Sequence, residues 1–269
     1  MTSCHIHAGH ADSPVILHVP HASRSIPETV RAGMLLTGDE LQLELDESTD
    51  TATDRIAIRA AELLASGRPR PWLATNEFSR LVIDPERFPG DDEPMNAVGR
   101  GAVYTRTCNR APLRPEPATD AQRLMDTYYR PYAATLTDLV DDRIANTGAA
   151  VIIDVHSYPQ HPSRFENPNK SRPALCLGTD DFHTSNELRE QALDAFAPLG
   201  DIATNTPYGG CYVPLNRYQH DPRVSAVMIE LRRDQYLTTP SVANPAKVDS
   251  LASMLATLVA HCTPKVAAD

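Results

Sequence analysis

The run Val151-Ile152-Ile153-Asp154-Val155-His156-Ser157 constrains this chain more than any other stretch. Short, β-branched and almost continuously apolar, it has the pattern of a strand covered by helices on both faces. Tyr158-Pro159 breaks it. Asp154 interrupts the apolar run, and a carboxylate inside a sheet has to be hydrogen-bonded or paired, because an unpaired buried charge is expensive. His156 arrives at the carboxyl end of the strand, the edge at which open α/β sheets hold their ligands. By itself the segment fits a core histidine held by its neighbours as well as it fits a functional one.

The same pattern recurs. Val15 to Val19 reads as a strand closed by Pro20 and followed by the polar turn from His21 to Ser25, and Ser225 to Leu231 reads as a strand bearing Glu230. Trp72 to Thr75, Leu81 to Ile83 and Ala174 to Gly178 also read as strands. Between them lie helical periods. Ile56, Ala57, Ala60, Ala61 and Leu64 mark a helix over 54–64 that Ser66-Gly67 stops. Leu124, Tyr128, Tyr132, Leu136, Leu139 and Val140 form a stripe over 119–146, where Pro131 predicts a kink or break. Further helices are expected over 185–196 and 246–261. Alternation of this kind predicts an α/β chain, a single domain over 1–269 with a mostly parallel or mixed central sheet flanked by helices. Residues 1–13, with His5, His7 and His10, read as a loose, solvated N-terminus. Residues 88–117, rich in Pro, Gly, Asp and Arg, read as a lid-like excursion ordered by Phe88, Met95, Val98, Val103 and Tyr104.

Composition removes several classes of function. A net charge of −10 with no run of Lys or Arg argues against a nucleic-acid partner. No apolar run is long enough to span a bilayer, so no membrane partner is expected. The five cysteines are scattered and never in CxxC spacing, which argues against a disulfide framework or a structural zinc module and suits a cytoplasmic location.

Three strands thus end in acid/base or metal-ligand types, at His21, His156 and Glu230. Along one rim of a parallel sheet, two neutral imidazoles and one carboxylate are the ligand set that catalytic zinc prefers, with a fourth position left open. Asp154-Val155-His156-Ser157-Tyr158 and Ile229-Glu230-Leu231-Arg232 resemble the metal-binding His-Ser-Tyr turn and the late Glu-Leu-Arg strand of the zinc carboxypeptidase superfamily. That superfamily opens with His-x-x-Glu, whereas Arg24 stands three residues after His21.

From the first strand to Tyr236 the chain more closely resembles the N-formylglutamate amidohydrolase family. The resemblance is carried by Pro20-His21-Ala22-Ser23 with Ile26-Pro27, by Thr49-Asp50, by Ser79-Arg80 with Asp84 and Arg87, by Arg130-Pro131-Tyr132, by Asp154, His156 and Ser157, by Gly209-Gly210 and by Glu230-Leu231. Two positions depart from the family's usual pattern: Glu86 replaces an Asn, and Cys211-Tyr212-Val213-Pro214 stands where a His and a Thr are common.

The resemblance implies a zinc-carboxypeptidase-like, phosphorylase/hydrolase-like fold and a metal-dependent hydrolysis of the amide bond of a small N-acyl amino acid, such as N-formyl-L-glutamate. It implies one divalent ion, zinc by preference, on His21, Asp50 and His156, with Glu47 the substitute for Asp50. Glu230 would be the general base acting on a metal-activated water, Arg80 the group facing the oxyanion, and Arg87 with Gly209 and Gly210 the grip on a substrate that carries a carboxylate. Asp154 would orient hydrogen bonds around the ligands. Strand phase puts Arg232 on the face of Glu230 and Arg233 on the other. His18, inside the first strand, reads as a structural histidine. Neither Ser157, which lacks a Gly-x-Ser-x-Gly elbow, nor Cys211 reads as a nucleophile. A carboxypeptidase-like peptidase and an inactive ligand-binding relative are the alternatives.

Overall fold

The computed structural model describes residues 3–65 and 67–263. Its strands and helices, in chain order, are β1 (Cys4–His7), β2 (Val15–Val19), α1 (Glu28–Arg31), α2 (Gly38–Ser48), α3 (Thr53–Leu63), β3 (Trp72–Asn76), α4 (Ala121–Leu124), α5 (Arg130–Thr147), β4 (Ala150–Tyr158), β5 (Leu175–Gly178), α6 (Asn186–Phe196), β6 (Ile202–Thr204), β7 (Val224–Arg232), β8 (Leu237–Thr239), β9 (Val242–Ala243) and α7 (Pro245–Cys262). One sheet runs in the order β1-β3-β2-β4-β7-β5-β6. Its centre, β3-β2-β4-β7, is parallel, while β1 runs against β3, and β5, with β6 parallel to it, runs against β7. The chain is therefore α/β with a mixed sheet flanked by helices. Among the described residues no helix is long and apolar enough to cross a membrane.

Side chains alternate across each strand, and the two faces meet different helices. Leu17, Val19, Ile153, Val155, Val227 and Ile229 pack against Ile56 and Ala60 of α3, Leu188 of α6 and Leu251 and Leu255 of α7. Ile16, Ile152 and Ala226 pack instead against Tyr132, Leu136 and Val140 of α5. On this second face each strand turns polar toward its carboxyl end, where His18 follows Ile16, Asp154 and His156 follow Ile152, and Glu230 follows Ala226. The strands are apolar where helices cover both faces and polar where the α5 layer gives way to a cavity.

Four expectations change. Residues Cys4–His7 are not loose but form the edge strand β1, antiparallel to β3, with Cys4 buried. Leu81 to Ile83 are fully buried without being a strand. They form a turn whose Leu81 carbonyl accepts from Nη2 of the buried Arg114 at 2.6 Å, so a guanidinium supplies the donor that a sheet neighbour would otherwise give. At Pro131 the long helical stripe does not end: α4, a π-turn over Met125–Tyr129 and α5 run on with helical backbone throughout, and the π-turn just ahead of the ring takes up the hydrogen bond that its missing N–H cannot make. Helix α3 ends at Leu63, with Gly67 left-handed at φ 78°, while the Ser66 half of the expected stop lies outside the described residues. Helix α2 escapes the sequence pattern because GDELQLELDES is acidic and exposes Leu43; a capping box between Thr37 and Glu40 starts it.

Candidate metal centre

His21 and Asp50 come from two turns joined through the backbone: the Asp50 N–H donates to the His21 carbonyl at 3.0 Å. His156 reaches them from β4. Nδ1 of His21 lies 3.2 Å from Nδ1 of His156, and Asp50 Oδ2 lies 3.1 Å from His156 Nδ1 and 3.7 Å from His21 Nδ1. All three residues are buried. The Glu47 side chain is not part of this cluster; the residue is exposed, and its carbonyl accepts from Arg233.

Carboxylates take the opposite ring nitrogens. His21 Nε2 meets Asp84 Oδ1 at 2.9 Å, and His156 Nε2 meets Asp154 Oδ1 at 2.9 Å and Glu86 Oε1 at 3.2 Å. A proton held on each Nε2 leaves each Nδ1 lone pair turned toward Asp50, the arrangement by which outer carboxylates orient metal-binding imidazoles. A tetrahedral ion bound at about 2.0–2.1 Å separates its ligand atoms by about 3.3 Å. Separations of 3.1, 3.2 and 3.7 Å fit that requirement. Asp154 Oδ1 also meets His18 Nδ1 at 2.8 Å, and His18 Nε2 meets the Tyr132 hydroxyl at 2.5 Å, so His18 is satisfied on both sides.

The electrostatics follow from burial set against these contacts. Burial opposes charge on Asp50, but hydrogen bonds from His156 and His21 outweigh it and hold the carboxyl below its usual range. Asp84 is held well below that range, again against burial, by Arg80 and His21. Burial disfavours the imidazolium of His156; Asp154, Glu86 and Asp50 overcome it and hold His156 well above its ordinary value. His21 is raised too, with burial and Arg80 opposing and Asp84, Glu86 and Asp50 prevailing.

Glu230 is in register with His156 on the neighbouring strand. Its Oε2 is buried and finds no hydrogen-bond partner among the described residues. Burial raises Glu230 to about 7, His156 pulling it down and Asp50 pushing it further up. Arg80 donates from Nε to the Tyr104 hydroxyl at 3.1 Å and from Nη2 to Asp84 Oδ2 at 2.7 Å. Arg87 lies near the same Asp84 oxygen, yet its Nε has no hydrogen-bond partner among the described residues. Gly209 and Gly210 bring backbone to the cavity wall; a Cβ on Gly178 would stand 2.3 Å from the Gly210 carbonyl, so the turn sits directly on the end of β5. His21, Asp50, His156, Glu230, Arg80 and Arg87 all line one cavity of about 1090 Å³.

Arg233 reverses the expectation from strand phase. The strand β7 ends at Arg232 and the chain enters a 3₁₀ turn, which swings Arg233 into the site while Arg232 pairs with Asp234 outside it. Arg233 donates from Nη2 to Asp50 Oδ1 at 3.1 Å, from Nε to Ser157 Oγ at 3.2 Å and from Nη1 to the Glu47 carbonyl at 2.7 Å. Ser157 is thus a partner of Arg233. Cys211 carries a thiol raised by burial, unlike an activated nucleophile. Residues 88–117 contribute Tyr104, which donates to Asp84, and Arg100, which pairs with the buried Glu44 of α2 at 2.9 Å and lies over the Tyr104 ring.

Comparison with known proteins extends to most of the chain. An N-formylglutamate deformylase of Pseudomonas putida is 28% identical over 235 residues, which cover 83% of this chain and 82% of that protein. A second, from Pseudomonas aeruginosa, is 26% identical over 233 residues with the same coverage. The crystal structure of N-formylglutamate amidohydrolase from Ralstonia eutropha JMP134 superposes with a TM-score of 0.77 at 21% identity, covering 96% of both chains, and so shares the fold. The family model described as N-formylglutamate amidohydrolase matches residues 13–237, and the chain belongs to that family.

Proposed function

We propose that this protein is a metal-dependent amidohydrolase that removes the acyl group from a small N-acyl amino acid, N-formyl-L-glutamate being the first candidate. The observation that carries this reading is the convergence of His21 Nδ1, His156 Nδ1 and Asp50 Oδ2 beside a Glu230 oxygen with no hydrogen-bond partner among the described residues. One divalent cation, zinc by its preference for two imidazoles and a carboxylate, is the ion these residues suit. Held there, such an ion polarises an amide carbonyl and lowers the pKa of water.

The chain's own groups take the remaining roles. Glu230 accepts a proton from the attacking water as the new C–O bond forms, then gives it to the nitrogen as the C–N bond breaks, releasing formate and the free amine. Burial raises this carboxyl above its ordinary range, the direction that suits a group which must both take up and return a proton. Arg80, fixed by Tyr104 and Asp84, places positive charge where the oxyanion develops without having to reorganise. Arg87 takes the substrate carboxylate, which a guanidinium can grip with two parallel hydrogen bonds, and the Gly209-Gly210 backbone lies along the substrate.

A hydrolysis screen over N-formyl, N-acetyl and N-carbamoyl amino acids, run on zinc-loaded and on chelated protein, tests the reading. Turnover of at least one series, abolished by chelation and restored by zinc, is expected. A zinc-loaded protein that cleaves none of them overturns it.

A further inference from the structure

Glu86 approaches every histidine of the pocket. Its Oε1 lies 3.2 Å from His156 Nε2 and 3.7 Å from His18 Nδ1, and its Oε2 lies 3.7 Å from His21 Nδ1. That last nitrogen is the one turned toward Asp50 and His156. Asp50 Oδ2 stands at the same 3.7 Å from it, so two carboxylate oxygens are equally distant from His21 Nδ1.

The two acids differ in how they are held. Asp50 is closed off from solvent and fixed by Arg233. The Glu86 side chain keeps 18% exposure, against 4% or less for His18, His21, His156 and Asp50. Its backbone N–H donates to Asp84 Oδ1 at 3.2 Å, the oxygen that also meets His21 Nε2. Asp84 therefore anchors the base of Glu86 in step with the His21 ring, while the carboxylate itself is carried on a flexible stem in a turn at the cavity wall.

We propose that Glu86 is a displaceable fourth ligand: its carboxylate closes the shell of His21, Asp50 and His156 when no substrate is bound, and swings away to open the position that a reacting group needs. The proposal rests on the metal reading given above. Three protein ligands with one open position distinguish catalytic from structural zinc sites, and a fourth acid on a mobile stem satisfies both conditions in turn. Once detached, the carboxylate still has His156 Nε2 within hydrogen-bond reach, so opening leaves no stranded charge.

Cobalt(II) loaded into the full chain reports the shell, because its visible bands follow ligand number and geometry. Glu86→Gln removes the charge and keeps the length; Glu86→Asp keeps the charge and shortens the reach by about 1.5 Å. Both variants are expected to shift the bands, to weaken cobalt binding about tenfold or more, and to bind added acetate about tenfold more tightly than the unaltered chain. Bands and acetate affinity that stay unchanged in Glu86→Asp mean that Glu86 acts by charge alone and overturn the proposal, as do unchanged bands in Glu86→Gln. An unaltered chain that takes up no cobalt removes the metal reading itself, and this proposal with it.

Discussion

His156 and Glu230 are register partners across the parallel ladder of β4 and β7, so two adjacent strands deliver a ring nitrogen and a carboxylate to the same rim. Neither depends on a loop for its place. A base built on a strand keeps its geometry when its charge is removed, which makes its contribution measurable in isolation.

Glu230→Gln is expected to retain the metal and to lower kcat by about 10²–10⁴-fold, the range a positioned general base contributes. Metal content and turnover measured on one preparation decide this. Near-normal turnover would remove Glu230 from the mechanism.

The same residue makes the metal-free protein sensitive to pH. Burial raises the folded-state carboxyl to about 7 from an ordinary 4.5, so the folded chain holds an extra proton between those values. Its stabilising contribution is complete below pH 4.5 and is lost as pH rises through about 7. Relative to Glu230→Gln, the chelated protein should lose up to about 3 kcal/mol across that window. Urea unfolding at a series of pH values would show parallel curves for the two proteins if the carboxyl were not raised.

His21 and His156 are both raised, and cation binding to Nδ1 must displace protons from the pair. Zinc affinity should therefore increase as pH rises above 6.5. Calorimetry in buffers of different ionisation enthalpy counts the protons released, and zero release at pH 7 would contradict the assignment. His21→Ala/His156→Ala should bind no zinc where the unaltered chain binds close to one per molecule.

Arg233 holds Asp50 by the oxygen turned away from the histidines, Oδ1, leaving Oδ2 for the cluster. Arg233→Lys cannot reproduce contacts to Asp50, Ser157 and the Glu47 carbonyl together. Zinc affinity should fall about 10–100-fold, as for other residues that orient ligands, with little change in unfolding midpoint. An unchanged dissociation constant would reduce Arg233 to a surface-closing role.

Asp84 is fully buried between His21, Arg80 and Tyr104. Asp84→Asn leaves a buried guanidinium without its counter-charge and should cost about 3 kcal/mol of stability. Chemical denaturation measures it directly, and a loss near zero would mean that water replaces the carboxylate.

What the sequence makes legible is what local period controls. The apolar runs of β2, β4 and β7 locate three rim positions, and two of them place His21 and His156 within 3.2 Å of each other although 135 residues separate them. Regular spacing also reveals α3, α6 and α7. It fails where tertiary contacts decide. Leu81 to Ile83 has strand composition, but Arg114 satisfies a turn there instead. Cys4–His7 has almost no apolar signal and becomes a strand because the edge of β3 is free to pair. Arg233 is lost to phase counting because the count assumes that β7 continues one residue further than it does. Glu86 looks like a simple replacement in one segment, and its approach to His18, His21 and His156 exists only after folding brings them together.

The π-turn at Met125–Tyr129 makes chain length itself a functional variable. Leu124 ahead of it and Tyr128 within it pack into the core around Leu81 to Ile83, whereas Tyr132 and Leu136 after it pack onto the sheet, and Tyr132 reaches His18. One residue of ordinary helix subtends about 100°. Deleting a single residue within 125–129 would restore an uninterrupted helix and put its two halves about a quarter-turn out of phase with the surfaces they now serve. The extra residue works as an angular spacer, letting one rod meet two differently oriented cores while its tyrosines keep their aim.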